Sequence, residues 1–266
     1  MANSLSVELT KHKFSHGYLV AGCAVAFALA LVCSISGNTG AEWSFMKWLN
    51  SFAARSAFDY PIYGLTYVLF SGAILMAFIW YCWFDSDRPE HRAVLVVGSF
   101  LVFVAGTVSR ILQLVLPTHL RPLHAPALAF RPPLGVNSDL LNHWNSFPSD
   151  HAAVYFGLAM VVWLVRPRVG SLMFALVLVL NLARIYTGVH YPTDVIGGGA
   201  LGLLIVNAVY RSPLLLSVGD RLVSSERTSP AYFYACAFLI SYGMATMFEE
   251  FRSVAKGLGL LLKGHI

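Results

Sequence analysis

Charge is scarce in this sequence: 12% of its 266 residues are Asp, Glu, Lys or Arg, whereas 57% are hydrophobic. Soluble globular domains carry about 25% charged residues, so this composition excludes an ordinary soluble domain. A basic run is also missing, so the formal net charge of +5 does not indicate nucleic-acid binding. The four cysteines lie inside apolar runs and form no C-x-x-C pair, which argues against disulfides and cysteine metal sites.

What the chain has instead is a series of apolar runs near the length of a helix that crosses a bilayer. We therefore expect an all-α, polytopic membrane helix bundle that forms a single membrane-embedded domain over residues 1–266. Residues 1–58 would hold an N-terminal anchor span and an interfacial helix at 36–58, which is rich in tryptophan. Residues 59–210 would form the core, and 211–266 a polar linker, an extra span and a tail. The predicted spans are 17–35, 59–84, 93–116, 148–165, 171–185, 192–210 and 231–248.

Basic residues indicate the orientation of these spans. With the N-terminus in the cytoplasm and four arginines set aside, nine lysines and arginines fall on the cytoplasmic side and five on the other, as the positive-inside rule expects. Four arginines break that rule and lie on the other side with His190: Arg110, Arg121, Arg131 and Arg184. Binding an anion is the simplest reason for them to be there.

The stretch 183–194 carries an arginine, a histidine and an aspartate between two apolar runs. A charge at the middle of a bilayer costs about 2.5–3.5 kcal/mol, so such groups normally mark a site. Pro192 is a natural first residue of a helix, which puts Asp194 in the first turn, four residues after His190. There the carboxylate can hold the imidazole in one tautomer, and Arg184 is a fixed donor for an anion. The alternative is an ordinary polar loop at the membrane surface.

A second segment, 145–151, has the same design. Pro148 indicates another helix start, and His151 follows it closely. A helix N-terminus offers unpaired N–H groups and a partial positive charge, which suits phosphate. Two such ends with two histidines and several arginines predict a phosphoryl-transfer site, in which one histidine attacks phosphorus and the other protonates the leaving oxygen. The alternatives are that Ser149 is only a helix-start residue and that Asp150 only complements the helix dipole.

These segments resemble the type 2 phosphatidic acid phosphatase (lipid phosphate phosphatase) superfamily over roughly residues 60–210. Its three-part pattern is K-x6-R-P, then P-S-G-H, then S-R-x5-H-x3-D. The third part matches at full spacing from Arg184 to Asp194, with Ala183 in place of serine, and the second matches at 148–151, with aspartate in place of glycine. The wording Ser-Phe-Pro-Ser-Asp-His is similar to the bacterial undecaprenyl diphosphate phosphatases of this superfamily.

The first part of the pattern is degraded. Arg121-Pro122 fits R-P, but Leu114 stands at the lysine position, and Arg110 can replace the lysine from one helical turn earlier. A rival alignment uses Arg131-Pro132, with His124 at the lysine position. The long connection 117–147, which carries both candidates, exceeds ordinary loop lengths, and such loops are usually functional.

The resemblance implies a role for each matching residue. His190 would be the nucleophile that forms a phosphohistidine, Asp194 would orient it, and His151 would protonate the leaving group. The phosphoryl oxygens would be held by Arg121, Arg184, Ser149 and Arg110. The resemblance implies neither a metal nor another cofactor.

The function expected from this resemblance is a membrane phosphatase that removes the terminal phosphate of a lipid phosphate or diphosphate. Undecaprenyl diphosphate is the favoured substrate, and the site would face the periplasm or exterior from a bacterial inner (plasma) membrane. The alternatives are a lipid-linked phosphotransferase that uses the same phosphohistidine and a non-catalytic transporter of anionic lipids. The enzyme reading requires the starts of the fourth and sixth spans to lie side by side.

Overall fold

The chain folds into helices. The computed structural model describes residues 13–37, 40–86, 88–208, 212–250 and 253–254, with side chains from Gly17 onward, and over these residues it is all-α, without a strand. Residues 1–12, Arg211, Arg252 and the tail from 255 onward, whose lysines and arginines entered the orientation argument, lie outside the described residues. The helices are α1 (Lys13–Ile35), α2 (Gly40–Asn50), α3 (Ser56–Leu65), α4 (Val68–Phe84), α5 (Pro89–Val115), α6 (Asp150–Val165), α7 (Pro167–Tyr186), α8 (Pro192–Val206), α9 (Pro213–Thr228) and α10 (Pro230–Ala245).

Some helices of this bundle are long enough to cross a membrane. Three stretches of the described residues are long and apolar enough to cross a bilayer, namely Gly17–Ile35, α5 and α7. The second predicted span is instead two helices, α3 and α4, bent by 56° and long enough only when taken together. Helices α6 and α8 are apolar but have 16 and 15 residues, fewer than the roughly 20 of a full crossing. The total of seven spans therefore stays a prediction.

The polar linker expected at the start of 211–266 is helical over α9. Ser212 caps the helix, because its side chain accepts a hydrogen bond from the Leu215 amide. Gly219 lies so close to α5 that an added Cβ would come within 2.9 Å of the Ala93 carbonyl oxygen. Between its charged residues, α9 carries an apolar stripe that includes the buried Val223 and packs on α5.

Helices α6 and α8 are brought together by glycine. A Cβ on Gly198 would lie 2.2 Å from the Ser149 carbonyl oxygen, and one on Gly202 would lie 2.1 Å from that of Ala153. Only glycine permits this approach of two backbones. The Ser149 amide also donates a hydrogen bond of 3.0 Å to the Asp194 carbonyl. The first turns of the fourth and sixth predicted spans therefore lie side by side, as the sequence required.

The last turns of α5 join the same end of the bundle, because Ser109 and Gln113 both donate to the carbonyl of Pro148, just before α6. We call this the site end. At the opposite end, the α6–α7 turn meets the α4–α5 turn, where Arg166 contacts Asp85. All seven residues proposed from the sequence as site residues lie at the site end, on α5, α6, α7, α8 and their connections.

Candidate active site

His190 lies in the short connection between α7 and α8 and is fully buried. Its Nδ1 atom is 3.0 Å from the carbonyl oxygen of Ser146. Because a carbonyl can only accept, Nδ1 carries the hydrogen and Nε2 keeps its lone pair. Burial and the positive charges of Arg121 and Arg184 hold the pKa of His190 well below 6.5. The side chain is therefore a neutral imidazole with a nucleophilic Nε2 at physiological pH.

Asp194 supports His190 chiefly through Ser146. Its Oδ2 atom accepts a short hydrogen bond from the Ser146 hydroxyl and another, of 2.7 Å, from the Tyr191 amide. The same oxygen is 3.6 Å from His190 Nδ1, which is ion-pair distance but too long for a good hydrogen bond. Ser146 thus joins the two residues, since its hydroxyl faces Asp194 and its carbonyl faces His190. The sequence pattern contained nothing that singled out Ser146.

His151 is the second residue of α6 and is held by its neighbour. Its Nδ1 atom donates to Asp150 Oδ1 at 2.9 Å, and the other carboxylate oxygen of Asp150 is 3.1 Å from Arg110 Nη2. The Nε2 atom of His151 is buried and has no hydrogen-bond partner among the described residues. Asp150, which the sequence suggested only as a complement to the helix dipole, therefore orients a histidine with a free Nε2.

Two arginines at this site are buried without a carboxylate. Arg121 is 2% exposed and donates to the carbonyls of Val189 and Asn145, while its Nη1 is 3.4 Å from His190 Nε2. Arg184 is 6% exposed, and within the described part of the chain its guanidinium has no hydrogen-bond partner. Burial lowers the pKa of Arg121 to about 10, so it remains a cation at neutral pH. Because a buried unpaired charge is costly, both positions suit a bound anion.

Ser149 and Arg110 have structural partners of their own. Ser149 is fully buried, and its hydroxyl accepts from the Ala152 amide as a helix cap. Arg110 lies at the rim of the site, where it bonds Asp150 and Gln113 and stacks on the Trp144 ring at 4.8 Å. Arg110 is thus linked through Asp150 to His151.

The rival alignment of the first motif fits less well. Arg131 pairs through its backbone with Asn50 of α2, and His124 donates to the Leu140 carbonyl. Arg121, and not Arg131, lies next to His190. Asn145 is a second residue that sequence reasoning missed: its side chain accepts from the amides of His119 and Phe147 and so holds the loop that carries Arg121.

The arrangement has the parts of an in-line phosphoryl transfer: two histidines with Nε2 directed away from their supports, and two cations for the phosphoryl oxygens. Where the structure describes side chains, no group of three or more His, Cys, Asp or Glu residues converges as metal ligands would.

Comparison with known proteins places this chain among related sequences. A family model for the PAP2 superfamily matches residues 118–216. "Bacitracin transport permease protein BcrC" of Bacillus licheniformis is 31% identical over 52% of this chain and 64% of its own length. "Putative undecaprenyl-diphosphatase YbjG" of Escherichia coli (strain K12) is 30% identical over 52% of this chain and 66% of its length. The chain thus matches a little under two thirds of each relative.

A solved structure is also similar to this chain. The first transmembrane PAP2 type phosphatidylglycerolphosphate phosphatase from Bacillus subtilis has a TM-score of 0.49 and 18% identity to it. The likeness covers 71% of this chain and 94% of the other.

Proposed function

We propose that this chain, which a family model for the PAP2 superfamily matches at residues 118–216, is a membrane phosphatase that hydrolyses the terminal phosphate of a lipid phosphate or diphosphate. The observation that carries the proposal is the pair of buried arginines, Arg121 and Arg184, which lack carboxylate partners in the described structure and lie at a site with two oriented histidines. A phosphoryl group supplies the missing negative charge.

In the first step, Nε2 of His190 attacks phosphorus, and the bond from phosphorus to the leaving oxygen breaks. His151 enters this step protonated on both ring nitrogens: its Nε2–H gives its proton to that oxygen and leaves the ring neutral, while Asp150 holds the ring through Nδ1–H. Arg121 and Arg184 neutralise the phosphoryl oxygens as charge redistributes among them. The product is a phosphohistidine whose positive ring is stabilised by the Ser146 carbonyl and by Asp194.

In the second step, water attacks the phosphohistidine, and neutral His151 takes the proton of that water. The phosphorus–nitrogen bond breaks, inorganic phosphate leaves, and both histidines return to their starting states. Ser149 and Arg110 would assist by holding the phosphate, Ser149 at the start of α6 and Arg110 from the rim. No step requires a metal ion.

Undecaprenyl diphosphate is the substrate we propose, because a relative with 30% identity bears the name undecaprenyl-diphosphatase and the second motif shares its wording with such enzymes. The site would open on the non-cytoplasmic side of a bacterial inner membrane. The four arginines that do not follow the positive-inside rule would lie on that side, namely Arg110, Arg121, Arg131 and Arg184. The name of another relative contains "transport permease", so anionic-lipid transport is the second candidate. Transport alone does not require a second histidine held by a carboxylate.

The test is phosphate release by the purified full-length protein in detergent, with undecaprenyl diphosphate and with a panel of other lipid phosphates. We expect release that EDTA leaves unchanged and that His190→Ala reduces by at least about 1,000-fold, to background. His91→Ala is the matched control, because His91 lies at the opposite end of the bundle and bonds Ser86; it should retain wild-type activity.

Three results would count against parts of this proposal. Release by His190→Ala at the wild-type rate would exclude the phosphohistidine mechanism. Release only after addition of a second acceptor would favour the phosphotransferase. Binding without release from any lipid phosphate would favour transport.

A further inference from the structure

A carboxylate from outside the family-matched region reaches the first turn of the helix that carries Asp194. Glu42 lies on α2 and is buried, with 7% of its surface exposed. Its Oε1 atom accepts two hydrogen bonds from Thr193, one from the backbone amide at 2.9 Å and one from the hydroxyl at 2.8 Å. Thr193 stands between Pro192, the first residue of α8, and Asp194.

Glu42 provides a hydrogen-bond acceptor that α8 cannot provide for its own first turn. The first N–H groups of a helix have no partner within it and carry its partial positive charge. At the start of α8, Asp194 already accepts from the Tyr191 amide and from Ser146, so it is engaged on the side of His190. The Thr193 amide is the next donor, and its acceptor comes from α2.

Apolar packing holds α2 in place beside α8. Met46, four residues after Glu42 and therefore on the same helix face, is fully buried in a cluster with Ile185, Tyr191 and Val195. Ile185 lies in the last turn of α7, Tyr191 directly follows His190, and Val195 directly follows Asp194 in α8. Trp48, on the opposite face of α2, is 57% exposed, as expected for a tryptophan of a helix that lies in a membrane interface.

From this geometry we propose that Glu42 is a positioning residue: it fixes the first turn of α8 from the interfacial helix and thereby holds Asp194 and His190 in the reactive arrangement. Losing both hydrogen bonds frees the Thr193 amide and loosens the turn that carries Asp194. Because Asp194 supports His190 chiefly through Ser146, a small displacement of that turn changes the direction of the nucleophile. The effect on catalysis rests on the phosphatase function proposed above, whereas the effect on the turn does not.

The experiment therefore measures both the order of this turn and catalysis, in the full-length protein in detergent. Hydrogen exchange is measured for the segment 190–195, and kcat and KM are measured with undecaprenyl diphosphate. Glu42→Ala should speed exchange in that segment and lower kcat, each by about five- to tenfold, with KM unchanged. Glu42→Gln keeps an acceptor oxygen and should restore most of both. Ser44→Ala, on the exposed face of α2, is the matched control and should change neither.

A milder variant covers the case in which Glu42→Ala does not fold. Thr193→Val removes the hydroxyl bond but keeps the amide bond, so it should produce a smaller change of the same sign in both measurements. Unchanged exchange in 190–195 in both Glu42→Ala and Thr193→Val would overturn the proposal, as would a Glu42→Gln variant as impaired as Glu42→Ala. If exchange responds but the wild-type protein releases no phosphate, the proposed function fails while the positioning of the turn by Glu42 stands.

Discussion

The two ends of the helix bundle use arginine in different ways. At the opposite end, Arg166 pairs with Asp85 at 3.0 Å and Arg92 pairs with Glu226 at 2.9 Å, and all four side chains are partly exposed. At the site end, Arg121 and Arg184 are almost completely buried and form no ion pair within the described residues. Exposed ion pairs contribute little to stability, whereas a buried cation without a partner is destabilising until an anion binds.

This difference shows how the same residue type serves structure or function. Where the chain supplies the carboxylate, arginine joins two turns, as Arg166 does with Asp85, or two helices, as Arg92 does with Glu226. Where the chain supplies only backbone carbonyls, as around Arg121, the positive charge stays available for a ligand. Asp150 lies between these cases, because it neutralises Arg110 and orients His151 at the same time.

Of the predictions that follow from this comparison, substitution of a buried arginine at the site end should have the largest effect on activity. Arg184→Lys keeps the charge but loses the planar fork that binds two phosphoryl oxygens, so kcat/KM should fall by about 100-fold. Arg166→Lys, the matched change at the opposite end, should stay within about twofold of wild type because its ion pair is exposed. Steady-state phosphate release measures both. Equal losses in the two variants would mean that the arginines of the site end are structural.

A smaller effect is expected at the aspartates. Asp150→Ala should lower kcat by about 10- to 100-fold, because His151 loses the acceptor that fixes its ring. Asp85→Ala, which removes the partner of Arg166, should leave kcat near wild type. The deficit of Asp150→Ala should shrink with an aryl phosphate, whose leaving group needs no proton. A deficit of the same size for both leaving groups would show that Asp150 acts on folding and not on proton transfer.

The sequence predicted the parts of this site whose geometry is local. Arg184, His190 and Asp194 lie within one helix end, a turn and the next helix start, so their spacing alone brings them together. The fold class was confirmed for a similar reason, because the apolar runs have helical length. Residues that act through their backbone could not be found in this way: Ser146 contributes a carbonyl, and a carbonyl has no side-chain pattern.

Two other omissions have different physical causes. Asp150 and His151 are adjacent, and neighbours along a helix do not normally face each other; they meet here because the pair begins the helix and Asp150 also accepts from the His151 amide. Glu42 is 151 residues away from Thr193 in the chain, a distance over which one sequence carries no pairing information. The roles of the proposed site residues stay predictions, and the variants above test those of His190, Arg184 and Asp150.

The smallest effect concerns pH and the neutral state of buried histidine at the site end. Since the pKa of His190 is lowered in the native protein, the unfolded chain takes up a proton near pH 6.5 while the native protein does not. The stability that comes from neutral His190 is therefore complete above pH 6.5 and is lost as pH falls toward the native pKa. The loss is about 1.4 kcal/mol per pH unit for one histidine. His119, whose pKa burial lowers to about 4, adds an effect of the same sign.

Thermal unfolding in detergent at pH 7.5, 6.5 and 5.5 should show a steeper decline of stability with falling pH for wild type and Arg166→Lys than for His190→Asn, which lacks one of these histidines. An equal decline in His190→Asn and wild type would mean that His190 is not held neutral by its site.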